Sequence, residues 1–181
     1  MKKKYLDIID PIHDFIRVYE HELSIIDNPL FQRLRRIRQL SGAHLTYPAA
    51  QHTRFEHSLG VMHIASQAGN ALNEKGFFKS DDIEILRLAG LLHDIGHGPF
   101  SHLFEEIIQE KKISHEDFGK EIIMKSEIGD DLSKNGFDKK LITKIAFGTS
   151  KFQYMNEIIS GALSADMMDY LLRDGYFTGA E

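Results

Sequence analysis

The residues from Ile83 to Gly98 read IEILRLAGLLHDIGHG, and this stretch decides the fold. Its first ten residues become apolar nearly all round toward their far end, which is typical of a helix buried on every side. The preceding Ser80-Asp81-Asp82 offers side chains that favour a helix start. A titratable pair, His93 and Asp94, then stands at the tip of the buried helix. Buried charges persist where they are paired, so this tip needs an explanation.

Glycines and a further histidine follow this pair closely. Gly96 and Gly98 allow a tight backbone opening, and His97 lies four residues after His93. A hydrogen-bonded core histidine would explain a lone His-Asp pair, but these surroundings favour an opening that is lined with imidazoles. Neutral imidazoles together with carboxylates suit a divalent first-row metal. Adjacent residues on a helix diverge by about 100°, so other helices must complete a metal shell around His93 and Asp94.

The rest of the chain is predicted to be almost entirely helical. Residues 5–19 are the exception, because two apolar runs separated by Asp10-Pro11 predict a small β-hairpin. One helix is predicted from Pro29 through Gln39 and another from about Arg54 to Lys75. Shorter helices are expected at about 100–110, 115–126, 138–147, 151–160 and 163–173.

Composition narrows the class of protein. Of the 181 residues, 42% are hydrophobic and 27% are charged, which suits one globular domain. The net charge of −5 disfavours broad nonspecific nucleic-acid binding and leaves room for a local basic site. The absence of cysteine excludes a thiolate zinc site and a cysteine nucleophile. No apolar run approaches about 18 residues, so we expect a cytoplasmic protein without a membrane partner.

Two more stretches extend the pattern around the His-Asp pair, RFEHS at 54–58 and DMMDY at 166–170. With them, the chain presents histidine, the His-Asp pair and aspartate in the order H…HD…D, and it thereby resembles the HD-domain metal-dependent phosphohydrolases. The likeness extends into their deoxynucleoside triphosphate triphosphohydrolase branch, which includes the SAM-and-HD-domain proteins and bacterial dGTPases. It is carried by DPIH at 10–13, FQRLR at 31–35, RFEHSLG at 54–60 and HDIGHGPFSH at 93–102.

The resemblance implies an all-α HD-domain helical bundle that hydrolyses a dNTP to a deoxynucleoside and inorganic triphosphate. It also implies a divalent metal ion, with Fe, Mn, Zn and Mg as the candidates. The implied metal ligands are His57, His93, Asp94 and Asp166. The implied residues of proton transfer are His97, His102, Glu105 and His115, with His102 preferred as the general acid. The implied substrate contacts are Arg54 at the phosphates and Gln39, Leu40, Tyr170 and Asp174 at the sugar.

The resemblance has one departure and one extension. Met167 stands where some relatives carry a phosphate-binding lysine, which puts one phosphate contact in doubt.

The four arginines between residues 33 and 38 would ordinarily form a solvated face or a nucleic-acid patch. The resemblance implies instead that Asp27, Gln32 and Arg35 hold a guanine-nucleotide effector and that its binding assembles a homo-oligomer. The same three residues would also suit helix capping and ion pairing.

Several alternatives stay open at the level of the sequence. An HD phosphohydrolase could act on nucleoside monophosphates or cyclic phosphodiesters. A regulatory module could bind nucleic acid weakly through the arginine stretch. Tyr170 could be a core residue, and Asp174 could pair with Arg173. Residues 1–181 are expected to form a single HD domain, either alone or as the N-terminal part of a longer chain, because relatives continue further.

Overall fold

The computed structural model describes residues 4–100 and 114–180. It begins with an antiparallel hairpin of β1 (Tyr5–Asp10) and β2 (Asp14–Tyr19), in which Tyr5 lies opposite Tyr19. Regular structure after the hairpin is helical throughout the described part of the chain. The predicted all-α bundle with a short N-terminal hairpin is therefore confirmed.

Nine α-helices follow the hairpin within the described residues. In chain order they are α1 (Glu20–Ile26), α2 (Pro29–Gln32), α3 (Arg54–Glu74), α4 (Ser80–Leu92), α5 (His115–Lys125), α6 (Glu127–Lys134), α7 (Lys139–Ala146), α8 (Gln153–Ser160) and α9 (Ala165–Thr178). The predicted limits of α3 are confirmed within one residue, and so is the end of α4 at Leu92, but α4 begins at Ser80, three residues before the predicted body at Ile83. Helices α1 and α6 were not predicted. The helix predicted at 100–110 lies almost wholly outside the described residues. None of the described helices has the length and apolar character that crossing a membrane requires.

The helix predicted from Pro29 through Gln39 is wrong beyond Gln32. Residues Arg33–Arg36 form a 3-10 turn, and Arg38 then pairs with Thr53 in an isolated β-bridge. Arg33 donates from Nη1 to the carbonyl oxygen of His97 at 2.6 Å, and its other terminal nitrogen contacts the carbonyl of Ile95. These contacts join residues more than sixty positions apart, so tertiary structure overrides the local helical periodicity.

Helices α3 and α4 form the centre of the bundle. The apolar side predicted for α3 is buried, with Phe55, Leu59 and Met62 each at most 3% exposed. A reciprocal capping box begins the helix, because the Thr53 N–H donates to Glu56 Oε2 at 2.9 Å and the Thr53 hydroxyl oxygen accepts in return. This start fixes Arg54 and His57 in the first turn of α3.

Two glycines allow other helices to approach this centre closely. A Cβ atom at Gly60 would overlap the side chain of Asp169, so only a residue without a side chain lets α9 lie against α3 here. A Cβ atom at Gly96 would overlap the carbonyl oxygen of His115, the first residue of α5. The two close approaches bring α9 toward His57 and bring His115 toward the loop after α4.

Candidate metal centre

Two buried imidazoles and one carboxylate converge where α3, α4 and α9 meet. His57 Nε2 lies 3.1 Å from Asp166 Oδ1, and His93 Nε2 lies 3.7 Å from the same oxygen. One ligand atom from each of these three residues lies within 4.8 Å of the other two. Three of the four predicted ligands are therefore brought together, from three separate helices or helix ends.

The two imidazoles are oriented as metal ligands require. His57 Nδ1 lies 2.8 Å from Asp169 Oδ2, and His93 Nδ1 donates to the carbonyl oxygen of Gly90 at 2.7 Å. Both Nε2 atoms are buried and have no hydrogen-bond partner among the described residues. Partners of this kind at the other ring nitrogen fix the tautomer and the orientation of metal-binding histidines. The donor set therefore fits a divalent cation between the two Nε2 atoms and Asp166.

Asp94 lies beside this group. Its carboxylate oxygens are 3.5 Å from His93 Nε2 and 3.7 Å from His57 Nε2, and Oδ2 also contacts the guanidinium of Arg54. Burial disfavours its charged form, but the neighbouring His93, Arg54 and His97 outweigh burial and hold the pKa of Asp94 well below its usual range. Asp94 is thus an ionised carboxylate at the edge of the group, and its role as a fourth ligand stays a prediction.

The carboxylates of this group favour positive charge on the neighbouring imidazoles. Burial lowers the pKa of His57, but the neighbouring carboxylates of Asp166 and Asp169 outweigh burial and raise it to about 9. Burial also opposes protonation of His93, and Asp94 and Asp166 again raise its pKa. The pKa of Asp166 is lowered, because the two histidines outweigh its burial. Without a metal, protons on imidazoles supply the positive charge that these carboxylates attract.

A cavity of about 340 Å³ opens onto the group. Besides His93, Asp94 and Asp166, its lining includes five further predicted site residues, namely Gln39, Arg54, His97, His115 and Tyr170. Sequence reasoning did not identify Glu116, Phe147 and Ser160, which also line the cavity. Tyr170 was expected to share a cavity with Asp166 because it lies one helical turn further along, and this placement is confirmed.

The residues predicted for proton transfer are partly described. The rings of His97 and His115 stack with their centroids 4.0 Å apart at the cavity wall. Burial lowers the pKa of His97 despite the pull of Asp94, whose Oδ1 lies 3.2 Å from His97 Nε2. His97 is therefore a neutral imidazole near pH 7. His102 and Glu105 lie outside the described residues.

The predicted sugar contacts divide into two groups. Gln39 lines the cavity, and its side-chain oxygen is buried without a hydrogen-bond partner among the described residues. Leu40 and Asp174 do not line this cavity. Asp174 Oδ1 lies 2.7 Å from His52 Nε2, so the alternative that pairs Asp174 with Arg173 is wrong. Arg173 is fully buried and binds Asp169 and Asp10 instead.

Asp169 is the main functional residue that sequence reasoning missed. Its carboxylate is fully buried, and besides His57 it meets His13 Nε2 at 2.7 Å and accepts two hydrogen bonds of 2.9 Å from Arg173. Although burial opposes ionisation, these partners hold the pKa of Asp169 below its usual range. A usable signal was present, since Asp169 and Arg173 follow Asp166 at helical spacings of three and seven.

The predicted effector residues lie at the end of α1, at the end of α2 and in the 3-10 turn that follows it. Asp27 is exposed after α1, and the side chain that caps α2 belongs to its neighbour Asn28. Gln32 Oε1 accepts from Arg35 Nε at 2.8 Å, and the Arg35 guanidinium stacks over Phe55 at 3.6 Å from the ring centroid. The capping role considered for Asp27 is therefore not present at α2, and the effector role stays a prediction.

Comparisons with known proteins agree with this site. Residues 54–174, which include the converging histidines and aspartates, match the HD domain. The uncharacterized protein MJ1154 of Methanocaldococcus jannaschii is 46% identical over 172 residues, which cover 95% of this chain and 34% of that protein. Deoxynucleoside triphosphate triphosphohydrolase SAMHD1 of Danio rerio is 37% identical over 163 residues, covering 88% of this chain and 26% of that protein.

A solved structure is also similar. It is a phosphohydrolase from Bacteroides thetaiotaomicron, with 36% sequence identity and a TM-score of 0.85 over 97% of this chain and 43% of that one. This chain spans less than half the length of each of these three proteins. The matched residues and the shared fold lead to one conclusion: the chain belongs to the HD-domain family.

Proposed function

We propose that this chain is a metal-dependent phosphohydrolase that converts a deoxynucleoside triphosphate to a deoxynucleoside and inorganic triphosphate. One observation carries the proposal. The metal group has two buried Nε2 atoms without a hydrogen-bond partner among the described residues, and its His93 and Asp166 line the same cavity as Arg54, Gln39 and Tyr170. Arg54 suits a phosphate, and Gln39 and Tyr170 suit a sugar. The similarity to the zebrafish triphosphohydrolase and to the Bacteroides phosphohydrolase supports it.

The metal would be held by His57, His93, Asp94 and Asp166. Nitrogen and oxygen donors without sulfur suit Fe, Mn, Zn or Mg. A divalent ion held there would polarise a phosphoryl oxygen and lower the pKa of a bound water.

Charge supports a requirement for cations in substrate binding as well. The described residues that line the cavity include three carboxylates, Asp94, Asp166 and Glu116, but one guanidinium, that of Arg54. A triphosphate carries several negative charges, so this lining without added cations repels it. Met167 supplies no charge where some relatives have a lysine. Phosphate recognition therefore rests on Arg54, on the imidazoles and on bound divalent cations.

The protein's own side chains have distinct tasks in this reaction. Arg54 places a guanidinium, which binds phosphate oxygens in a bidentate manner, beside the metal centre. Breaking the bond between the α-phosphorus and O5′ requires a proton at O5′, and His102 is our preferred donor, followed by His115.

The sugar side of the cavity favours deoxyribose. The ring of Tyr170 offers no hydrogen-bond partner to a 2′-hydroxyl, and burying that hydroxyl unpaired costs roughly 1–3 kcal/mol. The preference for dNTPs over NTPs is then about tenfold to over a hundredfold.

Regulation by a guanine nucleotide is a separate part of the proposal. A carboxylate at Asp27 accepts from the N1–H and N2 amine of guanine, and the adjacent Gln32 and Arg35 donate to base and phosphate. We expect GTP or dGTP to raise both the oligomeric mass and the turnover. Asp27→Ala should remove both responses and leave metal content unchanged. If guanine nucleotides change neither the oligomeric mass nor the turnover, the three residues have a structural role only.

The test combines metal analysis with a substrate screen. Metal content of the purified protein is measured by mass spectrometry, and the four dNTPs, the four NTPs, nucleoside monophosphates and cyclic dinucleotides are then incubated with Mg²⁺, Mn²⁺ or Fe²⁺. We expect triphosphate release from dNTPs, lost with a chelator and restored by the metal. Hydrolysis of monophosphates or cyclic dinucleotides without triphosphate release from dNTPs would overturn the substrate assignment. Salt-sensitive nucleic-acid binding with no hydrolysis would favour a regulatory module.

A further inference from the structure

A fully buried histidine next to the cavity has no task in the reaction described above. His52 precedes α3, and its side chain is 0% exposed. Its Nε2 lies 2.7 Å from Asp174 Oδ1, and its ring stacks on Phe177 with a centroid distance of 4.8 Å. An ionised carboxylate only accepts hydrogen bonds, so the Nε2–H of His52 donates to Asp174.

The same histidine is also bonded to Gln39. Its carbonyl oxygen accepts from the Gln39 N–H at 3.1 Å, in the backbone pairing that places Arg38 opposite Thr53. His52 therefore joins Gln39, which lines the cavity, to Asp174, which lies one turn beyond Tyr170 on α9. The resemblance implies sugar contacts for both partners; Asp174 itself does not line the cavity, but Tyr170, one turn before it, does.

We propose that His52 is a positioning residue for recognition of the sugar 3′-hydroxyl, and this inference rests on the proposed dNTP hydrolysis. The bond to one Asp174 oxygen holds the carboxylate in place. The other oxygen makes no hydrogen bond within the described residues, and the Asp174 side chain keeps 23% exposure. A 3′-hydroxyl donates to a fixed, ionised oxygen more strongly than to a neutral or mobile acceptor.

Packing alone does not account for a histidine at this position. His52 Nδ1 is buried without a hydrogen-bond partner in the described part of the chain. An unsatisfied buried nitrogen is unfavourable, and phenylalanine would stack on Phe177 without it. What phenylalanine lacks is the N–H that holds Asp174.

The experiment compares dATP with 2′,3′-dideoxy-ATP as substrates of the metal-loaded full chain. The wild type should prefer dATP, and His52→Phe should lower the ratio of the two kcat/KM values about tenfold, mainly through a higher KM for dATP. Asp174→Asn should lower the same ratio, and adding His52→Phe to it should cause little further change, because the histidine acts through the carboxylate. His52→Gln keeps an N–H donor and should restore part of the ratio.

His21→Phe is the matched control. His21 also packs among aromatic rings, those of Tyr19 and Phe137, but it lines a different cavity, so this variant should keep the wild-type ratio. Equal losses with dATP and dideoxy-ATP in His52→Phe would overturn the proposal, since they indicate a packing role. If the wild type hydrolyses no dNTP, the proposed function fails. The role of His52 is then tested separately by the rise in Tm that each of the two nucleotides causes. If dATP and dideoxy-ATP raise the Tm equally in the wild type and in His52→Phe, the proposed role of His52 is wrong.

Discussion

Replacing Asp169 by asparagine tests how the protein prepares His57 for metal binding. The substitution keeps the shape of the side chain and removes the charge that meets His57, His13 and Arg173. Loss of a partner that orients a metal-binding histidine typically weakens metal binding 10–100-fold, which is about 1.4–2.7 kcal/mol. Breaking a buried ion pair costs roughly 3 kcal/mol of folding stability. A domain with about 5–15 kcal/mol of stability still folds after this loss.

Asp10→Asn is the matched control for this variant. Asp10 accepts from Arg173 at 2.8 and 3.3 Å, so its substitution also removes a buried charge partner of that arginine, but no contact between Asp10 and His57 is present among the described residues. Titration of Mn²⁺ against a competing chelator gives the metal Kd, and urea unfolding gives the stability. Both variants should lose stability, and Asp169→Asn alone should lose metal affinity. An unchanged Kd in Asp169→Asn, or an equal loss of metal affinity in Asp10→Asn, would show that Asp169 does not prepare His57 for the metal.

Three further predictions concern the ligand set, the sugar and pH. Asp94→Ala should abolish bound metal and hydrolysis, because it removes a predicted ligand. Far-UV circular dichroism should stay near that of the wild type, because the substitution opens no large apolar cavity. Full metal occupancy with normal turnover would exclude Asp94 as a ligand. Tyr170→Ala should narrow the preference for dATP over ATP in kcat/KM, and equal use of both by the wild type would contradict the dNTP assignment. His57, whose pKa rises from 6.5 to about 9 on folding, stabilises the metal-free protein fully below pH 6.5, and this stability is lost as pH rises through 9. The Tm of the metal-free protein should therefore fall over that range while metal affinity rises, because metal and proton compete for His57; a constant metal affinity would show that His57 is not a ligand.

Much of the fold follows from local sequence signals. The apolar periodicity of α3, the Thr53–Glu56 capping spacing and the buried run of α4 are all contained within single stretches of chain. The end of α2 does not follow in this way. Residues 33–38 leave the helix because of bonds to the loop at 95–97 and to Thr53, and these partners are distant in sequence.

The candidate site also combines features that the sequence predicts with features that depend on contacts between distant residues. The resemblance to the H…HD…D pattern predicted the two histidines and the aspartate that the fold brings together, and the one-turn spacing after Asp166 predicted that Tyr170 lines the same cavity. The roles of Asp169 and His52 depend on which buried partner each side chain meets. Asp174 illustrates this, since its neighbour in sequence is Arg173 but its partner in the fold is His52. The Phe147 and Ser160 side of the cavity is formed by helix ends whose packing no local pattern indicates.

Hydrolysis of a dNTP in ¹⁸O-labelled water is the sharpest test of the proposed reaction. Phosphorus NMR of the products shows both which bond breaks and where the label goes. We expect a deoxynucleoside and inorganic triphosphate, with one ¹⁸O atom on a terminal phosphorus of the triphosphate and none on the deoxynucleoside. Release of pyrophosphate or orthophosphate, or label in the deoxynucleoside, would contradict it.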